Sequence, residues 1–282
     1  MSQTGKFLDI EIRGGLGDLI LQLHETTAWE ELDRLDPNDR ARVTIISHNP
    51  YADELFKWHP KLSQIEVVKS RHFFMPPYND PRIRLEAGVQ EREPAPRPPR
   101  ERKPQSFYAP QAELDLLEVE LPRVPFLAIA PTASGMEIEN RNIPDSLLNV
   151  ACIATLRRSI PIVWLGRTYQ GPHAPKAVPF RPVHHDIVDM TDRLSVPGTL
   201  EALRRAKAGL FAHSALLQYA WLNRIPNFVL YPPMYKHHDF DNPSPFGKGK
   251  DLPETTRMLF TEFRPSAWDA FLTKHFKRGN AP

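Results

Sequence analysis

A glycine turn that ends in an acidic residue is the first place in the sequence where chemistry could occur. The segment Gly14-Gly-Leu-Gly-Asp18 follows an alternating apolar and charged run and precedes apolar residues at steps of three and four. This pattern predicts a strand, a tight turn and a helix, which bring unpaired backbone N–H groups and a positive helix end to one point. Asp18 could cap that helix or act as a general base beside a bound anion.

Two His-His-Asp triplets, His184-His185-Asp186 and His237-His238-Asp239, carry side chains that are common metal ligands. Neighbouring residues of an extended chain point to opposite sides, so one triplet is a poor source of two ligands for the same ion. We therefore predict no metal site.

The composition is that of an ordinary globular protein. The 282 residues include 36 Lys and Arg against 34 Asp and Glu, and 41% are hydrophobic, which suffices for one large or two small domains. A net charge of +2 neither implies nor excludes a nucleic-acid partner. The single cysteine, Cys152, excludes an intrachain disulfide framework and fits a cytoplasmic location. No signal peptide and no membrane span are expected.

The order of predicted elements indicates an α/β protein. Residues 7–68 are typical of strand, helix, strand, helix, strand, which favours a parallel sheet. A second series of the same kind begins with a buried strand at 126–130 and continues to a strand at 227–231. Residues 265–276 are predicted to form an amphipathic helix.

Proline is unusually frequent, and its distribution divides the chain. Twelve of the 30 prolines lie between Pro76 and Pro131, and residues 91–104 hold five prolines and five arginines or lysines without apolar periodicity. We predict an extended, polyproline-like linker there. Because acidic residues are interspersed with the basic ones, a solvated linker is favoured over a nucleic-acid-binding arm.

Segments of both halves, taken in order, resemble the heptosyltransferase-like glycosyltransferases of family 9. Gly17-Asp18, with Arg13 before the turn, matches a small-residue turn that ends in Gly-Asp in that family. Asn140-Arg-Asn-Ile-Pro144 is similar to its Lys-x-Trp-Pro segment, with Arg141 at the lysine position.

The most specific segment of the family, Asp-(Ser/Thr)-Gly-x-x-His followed at fixed spacing by proline, resembles residues 213–226. The spacing is kept, but His213, Ala215 and Gln218 stand at the positions of the Asp, Gly and His. A helix that starts near Ser214 would still offer backbone N–H groups to a diphosphate.

The resemblance implies a GT-B fold, in which two Rossmann-like domains with parallel sheets face each other across a cleft. Residues 1–122 would form the N-terminal acceptor domain, with the proline-rich loop at about 76–110. Residues 123–263 would form the nucleotide-sugar domain, and residues 264–282 a helix that packs back on the N-terminal domain.

The resemblance also implies an inverting, metal-independent transfer of a sugar from a nucleoside-diphosphate sugar to an acceptor hydroxyl, with no cofactor. Asp18 would take the proton from the acceptor, and Arg141 would contact the diphosphate. Acceptor contacts are implied at Arg13, Gly15 and Gly17. Donor contacts are implied at Thr132, Ser134, Arg141, Gly166, Met190, Thr191, His213, Ser214, Ala215, Gln218 and Lys236.

Other interpretations stay open from the sequence. Arg141 could be a solvated loop residue, Ser214 a plain helix cap, and residues 234–250 a surface loop. The acceptor could be a glycan, a protein or a modified nucleic-acid base. Because three motif positions are changed, a non-catalytic GT-B scaffold that binds or supports other molecules is the rival class. A nucleotide-sugar epimerase or dehydrogenase is disfavoured, since the sequence lacks GxGxxG.

Overall fold

The computed structural model of the protein describes seven stretches of the chain, which are residues 5–25, 27–47, 49–70, 107–133, 141–168, 183–233 and 255–276.

The first half forms a three-stranded parallel sheet in the order β1-β2-β3. Its strands are β1 (Phe7–Arg13), β2 (Arg40–Ile46) and β3 (Ile65–Ser70). Its helices are α1 (Leu16–Glu25), α2 (Ala28–Asp33) and α3 (Glu54–Lys57), with a 3₁₀ turn at Leu62–Gln64. The alternation of apolar and charged residues in β1 buries Leu8, Ile10 and Ile12 on one face of the strand.

The apolar periodicity at residues 19–35 produces two helices instead of one. Thr27, the residue before α2, has a φ of 60°, which lies in the left-handed region that a helix cannot contain. The buried face nevertheless continues from Leu23 in α1 to Trp29 and Leu32 in α2.

The second half forms a six-stranded parallel sheet in the order β6-β5-β4-β7-β8-β9. The strands are β4 (Leu127–Ala130), β5 (Ile162–Trp164), β6 (Ile187–Asp189), β7 (Ala208–Phe211), β8 (Asn227–Tyr231) and β9 (Thr255–Leu259). Strands β4, β5, β7 and β8 are buried along their whole length, as expected for a parallel sheet covered on both faces. The prediction of an α/β fold with two parallel sheets is confirmed, although β9 is not predicted from the sequence.

Five helices accompany the second sheet in the described residues, and they are α4 (Gln111–Glu120), α5 (Asp145–Leu156), α6 (Val196–Arg204), α7 (Ala215–Leu222) and α8 (Pro265–His275). Helix α6 begins at Val196. Ser195 caps it by accepting the Gly198 N–H at 3.2 Å, and Pro197 fits the first turn, where no N–H is needed.

The prediction that the C-terminal helix packs on the N-terminal domain is wrong. Helix α8 lies against α5, beside the second sheet: the Trp268 indole N–H donates to the Ala151 carbonyl at 3.1 Å, and Arg158 pairs with Asp269. The apolar residues of α8 pack against Phe228 of β8 and against α5, so the second half buries them.

The two halves share one apolar core. It extends from β1 and α1 of the first sheet to α6, α7 and the adjacent face of the second sheet. Helices α1 and α7 form the most extensive helix–helix contact between the halves. No helix in the described stretches has the length and apolar character needed to cross a bilayer.

Candidate active site

Asp18 lies in the first turn of α1, at the carboxyl end of β1. The Gly15 N–H donates to Asp18 Oδ2 at 2.9 Å, so the carboxylate does cap the start of the helix. Gly14 has a φ of 115°, and a side chain there would collide with the Asp18 carboxyl. The glycine turn is therefore shaped around Asp18. In the described part of the chain, no group donates to the other oxygen, Oδ1.

Burial raises the pKa of the half-buried Asp18 carboxyl above its ordinary value. The Gly15 N–H and the positive charge of Arg141 act in the opposite direction and lower that pKa. Asp18 is thus both a capping residue and a perturbed carboxylate beside an arginine, so the two interpretations from the sequence are compatible.

The start of α7 faces the start of α1. The amide oxygen of Gln218 and the backbone of Ala215 occupy the space into which a side chain at Gly17 would project. Gly17, Ala215 and Gln218, which the sequence assigns to acceptor and donor contacts, are therefore brought together by the contact between the halves.

Ser214 holds the N-cap position of α7 but does not cap it. Its backbone is extended, its hydroxyl accepts no hydrogen bond from the helix, and the buried Oγ has no partner among the described residues. The interpretation as a plain helix cap is not what the structure shows. Among the described residues, no side chain caps the first-turn N–H groups of α7.

Arg141 is half-buried, so it is not a solvated loop residue. The adjacent Asn142 fixes its segment by accepting the Ala133 N–H at 3.1 Å, and the Ile143 N–H donates to the Pro131 carbonyl at 2.9 Å. The charge of Arg141 acts on the titration of both Asp18 and His213. The structure therefore places one cation close to the key residues of both halves.

His213 follows β7 and precedes α7. Burial and, to a lesser extent, the nearby charges of Arg141 and Arg257 lower its pKa to about 4. The imidazole packs against the Tyr231 ring at 5.4 Å and is neutral at pH 7. A neutral histidine at this point does not add negative charge where an aspartate would.

The remaining described donor residues lie at the carboxyl ends of β4, β5 and β6. Gly166 has a φ of 151°, and the space where its side chain would lie adjoins the Thr132 hydroxyl. Met190 is buried, and the Thr191 N–H donates to Asp189 at 2.9 Å, while the buried Thr191 hydroxyl has no partner in the described stretches. These positions fit the rule that ligands bind at the carboxyl ends of parallel strands.

Arg13 is engaged by its neighbours in the first half. Its guanidinium pairs with Glu11, and its backbone N–H and carbonyl are bound by the Gln22 side chain at 3.0 and 2.6 Å. Among the described residues, Arg13 makes no hydrogen bond or ion pair with Asp18, and an acceptor role for Arg13 and the exposed Gly15 stays a prediction. Ser134, Lys236 and the triplet His237-His238-Asp239 lie outside the described residues.

The first His-His-Asp triplet lies in a turn before β6. There the ligand atoms of His184, His185 and Asp186 lie within 4.8 Å of one another. The expectation that neighbouring residues diverge is wrong here, because the segment turns instead of running extended. Both imidazoles are exposed, and the Asp186 N–H donates to His184 Nδ1 at 3.2 Å.

Sequence reasoning missed a polar contact between the halves. Glu54 of α3 accepts from Arg167 at 2.5 Å and from the Val196 N–H of α6 at 2.8 Å. Tyr51 completes the contact: the Arg167 guanidinium lies 3.8 Å from its ring centre, and its hydroxyl donates to the Thr168 carbonyl at 3.0 Å. No local motif signals this contact, since its members lie more than 100 residues apart.

No protein-family model matches the sequence, and no curated protein matches it significantly. The structure is similar to the ADP-heptose LPS heptosyltransferase II of Escherichia coli, at 10% identity and a TM-score of 0.56, over 95% of this chain and 98% of that one. It is also similar to a family 9 glycosyl transferase of Veillonella parvula DSM 2008, at 11% identity and a TM-score of 0.52, over 99% and 91%.

A third similar structure is the iron-containing dodecameric glycosyltransferase TibC of enterotoxigenic E. coli H10407. It has 16% identity and a TM-score of 0.40, and the match covers 81% of this chain but 58% of that longer one. The first two likenesses extend over nearly the whole of both chains, so they show the fold. The protein therefore has the two-domain GT-B fold of the family 9 glycosyltransferases that its sequence resembles.

Proposed function

We propose that the protein transfers a sugar from a nucleoside-diphosphate sugar to an acceptor hydroxyl. The observation that carries the proposal is the position of Asp18. Its carboxyl lies in the glycine turn of the first half, where that turn meets the uncapped start of α7, and Arg141 lies near both. A base and an anion-binding element from different halves are thus adjacent, as a transfer between two substrates requires.

In the proposed reaction the acceptor oxygen attacks the anomeric carbon of the sugar. A new C–O bond forms, the bond from that carbon to the diphosphate oxygen breaks, and the nucleoside diphosphate leaves. Asp18 takes the proton of the acceptor hydroxyl at Oδ1, while Oδ2 keeps its hydrogen bond to Gly15. Because burial raises the pKa of Asp18, it is a stronger base than an exposed aspartate. Attack from the face opposite the leaving group inverts the anomeric configuration.

The leaving diphosphate gains negative charge as the bond breaks. We propose that Arg141 and the first-turn N–H groups of α7 stabilise that charge, with the Ser214 hydroxyl as a further donor. These groups would supply the positive potential for the step without a metal ion or cofactor.

The name of the similar E. coli enzyme gives ADP-heptose as its sugar donor, so ADP-sugars are the first donors to test. The acceptor is a glycan, a protein or a modified nucleic-acid base. The buried, unpaired Cys152 fits a reducing compartment, and we propose a cytoplasmic location.

The direct test is a thermal-shift screen against ADP-, UDP-, GDP-, CMP- and dTDP-sugars, followed by donor-hydrolysis and transfer assays with the donor that binds. Selective binding raises the melting temperature by mass action. We expect the sugars of one nucleotide to raise the melting temperature. We also expect wild type to turn over that donor and the Asp18→Asn variant not to do so. A folded protein that responds to no donor would refute the proposal.

A non-catalytic binding protein of the same fold is the second candidate. The close contact of Gln218 with Gly17 favours it, because the amide fills space beside the proposed base. This candidate predicts that a nucleotide sugar binds but is not consumed, whether residue 18 is Asp or Asn. Truncation by Gln218→Ala would leave that result unchanged if the protein is non-catalytic.

A further inference from the structure

Arg257 is a half-buried cation that the proposed reaction does not use. It lies in β9, in register with Val229 of β8, at the edge of the second sheet. Its guanidinium carbon lies 5.7 Å from the ring centre of Trp221 in α7. The side chain therefore extends between the sheet and the helix whose start faces Asp18.

No carboxylate in the described stretches offsets the charge of Arg257. Among the residues that the structure describes, no carboxylate pairs with Arg257, and its buried Nη2 has no hydrogen-bond partner. A guanidinium held away from water without an anion is unfavourable. By contrast, five other arginines of the second half each pair with a carboxylate. They are Arg158, Arg167, Arg193, Arg204 and Arg205.

The surroundings of Arg257 suit an anion. Its charge and that of Arg141 both act on His213, which burial keeps neutral. The next residue, Ser214, is at the start of α7, and its buried hydroxyl has no partner among the described residues. Both arginines thus act on His213, which lies next to Ser214 and the start of α7, and a phosphate group there would be attracted by the two cations and bound by the hydroxyl and the helix N–H groups.

We propose that Arg257 binds a phosphate of the donor, so that the diphosphate site extends from Arg141 past His213 to β9. This proposal rests on the proposed function, since the anion is taken to be the diphosphate of a nucleotide sugar. Arg257 is then a donor-binding residue from a strand that carries no recognisable motif. Its planar guanidinium would make paired hydrogen bonds to phosphate oxygens. A lysine attracts a phosphate only as a point charge and cannot make that pair.

The test compares binding of ADP, GDP, UDP and CDP to the full-length protein by isothermal titration calorimetry. The variants are Arg257→Gln, Arg257→Lys and the control Arg157→Gln. Arg157 is an exposed arginine at the end of α5, a helix between β4 and β5 in the chain. For the diphosphate that binds wild type, we expect roughly a 10-fold to 100-fold loss of affinity in Arg257→Gln. Arg257→Lys should recover part of that loss, and Arg157→Gln should bind like wild type.

Stability without ligand separates a binding role from a structural one. Because Arg257 has no anionic partner in the described stretches, the melting temperature of ligand-free Arg257→Gln should equal or exceed that of wild type. A melting temperature lowered by several degrees, with binding that Arg257→Lys does not restore, would assign the arginine a structural role and overturn the proposal.

Two further outcomes overturn it in distinguishable ways. If wild type binds a nucleoside diphosphate and Arg257→Gln binds it within twofold, the phosphate is held elsewhere, and the proposed function stands without Arg257. If folded wild type binds none of the four diphosphates, the donor site itself is refuted, and the role of Arg257 fails with it.

Discussion

The amide oxygen of Gln218 occupies the space into which a Cβ at Gly17 would project. This contact joins α1 to α7. It sets how closely the two halves approach each other at Gly17, the residue before Asp18. A glycine is required here for close approach, not for its backbone conformation, since its φ is not in the left-handed region.

Gly17→Ala should separate the halves. The new methyl group collides with Gln218 and with the Ala215 backbone, so we expect the free energy of unfolding to fall by about 1–3 kcal/mol, measured by urea denaturation. Adding Gln218→Ala removes the first collision and should recover part of the loss. If the double variant shows only the sum of the two single effects, the two residues are not in contact.

Asp18→Asn should abolish turnover and keep the fold. An asparagine oxygen can still accept the Gly15 N–H, so stability should change little, but the amide cannot take a proton. We expect transfer and donor hydrolysis to fall about 100-fold to 10,000-fold, with donor affinity retained. Asp18→Ala, which loses the capping oxygen as well, should also lose about 1 kcal/mol of stability. Unchanged turnover in the asparagine variant would show that Asp18 is not the base.

Arg141→Gln should change the pH dependence of the reaction. The positive charge of Arg141 lowers the pKa of Asp18, so its removal raises that pKa further above the ordinary value. Because the base must be deprotonated, the rate falls as the pH drops through this pKa, and the acidic limb of the rate profile should move to higher pH. Donor affinity should weaken in the same variant. A profile identical to that of wild type would place Arg141 too far from Asp18 to act on it.

His213 should make the folded protein less stable in acid. Its pKa is about 4 in the folded state and 6.5 in the unfolded chain, so unfolding takes up a proton between these values. Stability is complete above about pH 6.5 and decreases as the pH falls toward 4, by at most about 3 kcal/mol. His213→Gln should flatten the curve of unfolding free energy against pH in this window. An NMR titration of His213 with a midpoint near 6.5 would contradict the prediction.

Glu54→Ala should weaken the contact between the halves. It removes one carboxylate that serves both Arg167 and the start of α6, and leaves a half-buried arginine without its partner. We expect a loss of about 1–3 kcal/mol in urea denaturation. Glu66→Ala is the matched control, because Glu66 pairs with the exposed Arg42 and its loss should not be measurable. Equal losses of unfolding free energy in the two variants would show that the half-buried pair of Glu54 and Arg167 stabilises the protein no more than the exposed pair does.

Local patterns in the sequence determined much of the fold. The alternation in β1, the buried run at β4 and the glycine turn before Asp18 each predict their element, because period-2 patterns and turn residues act over a few neighbours. The ordered match to family 9 segments also predicted the GT-B fold, which the structure confirms. Strand β9 was missed because its residues, Thr255–Leu259, are half-buried at a sheet edge and mixed in polarity.

The tertiary structure alone decided which residues meet. Asp18 and Arg141 were assigned separately, but only folding shows that one acts on the pKa of the other. The place of α8 against α5, the bond from Glu54 to Arg167 and the position of Arg257 beside His213 could not be predicted, because each depends on contacts between distant segments. Sequence patterns specify whether a segment is a helix or a strand and which of its faces is buried. The packing of the elements decides which other element covers that face.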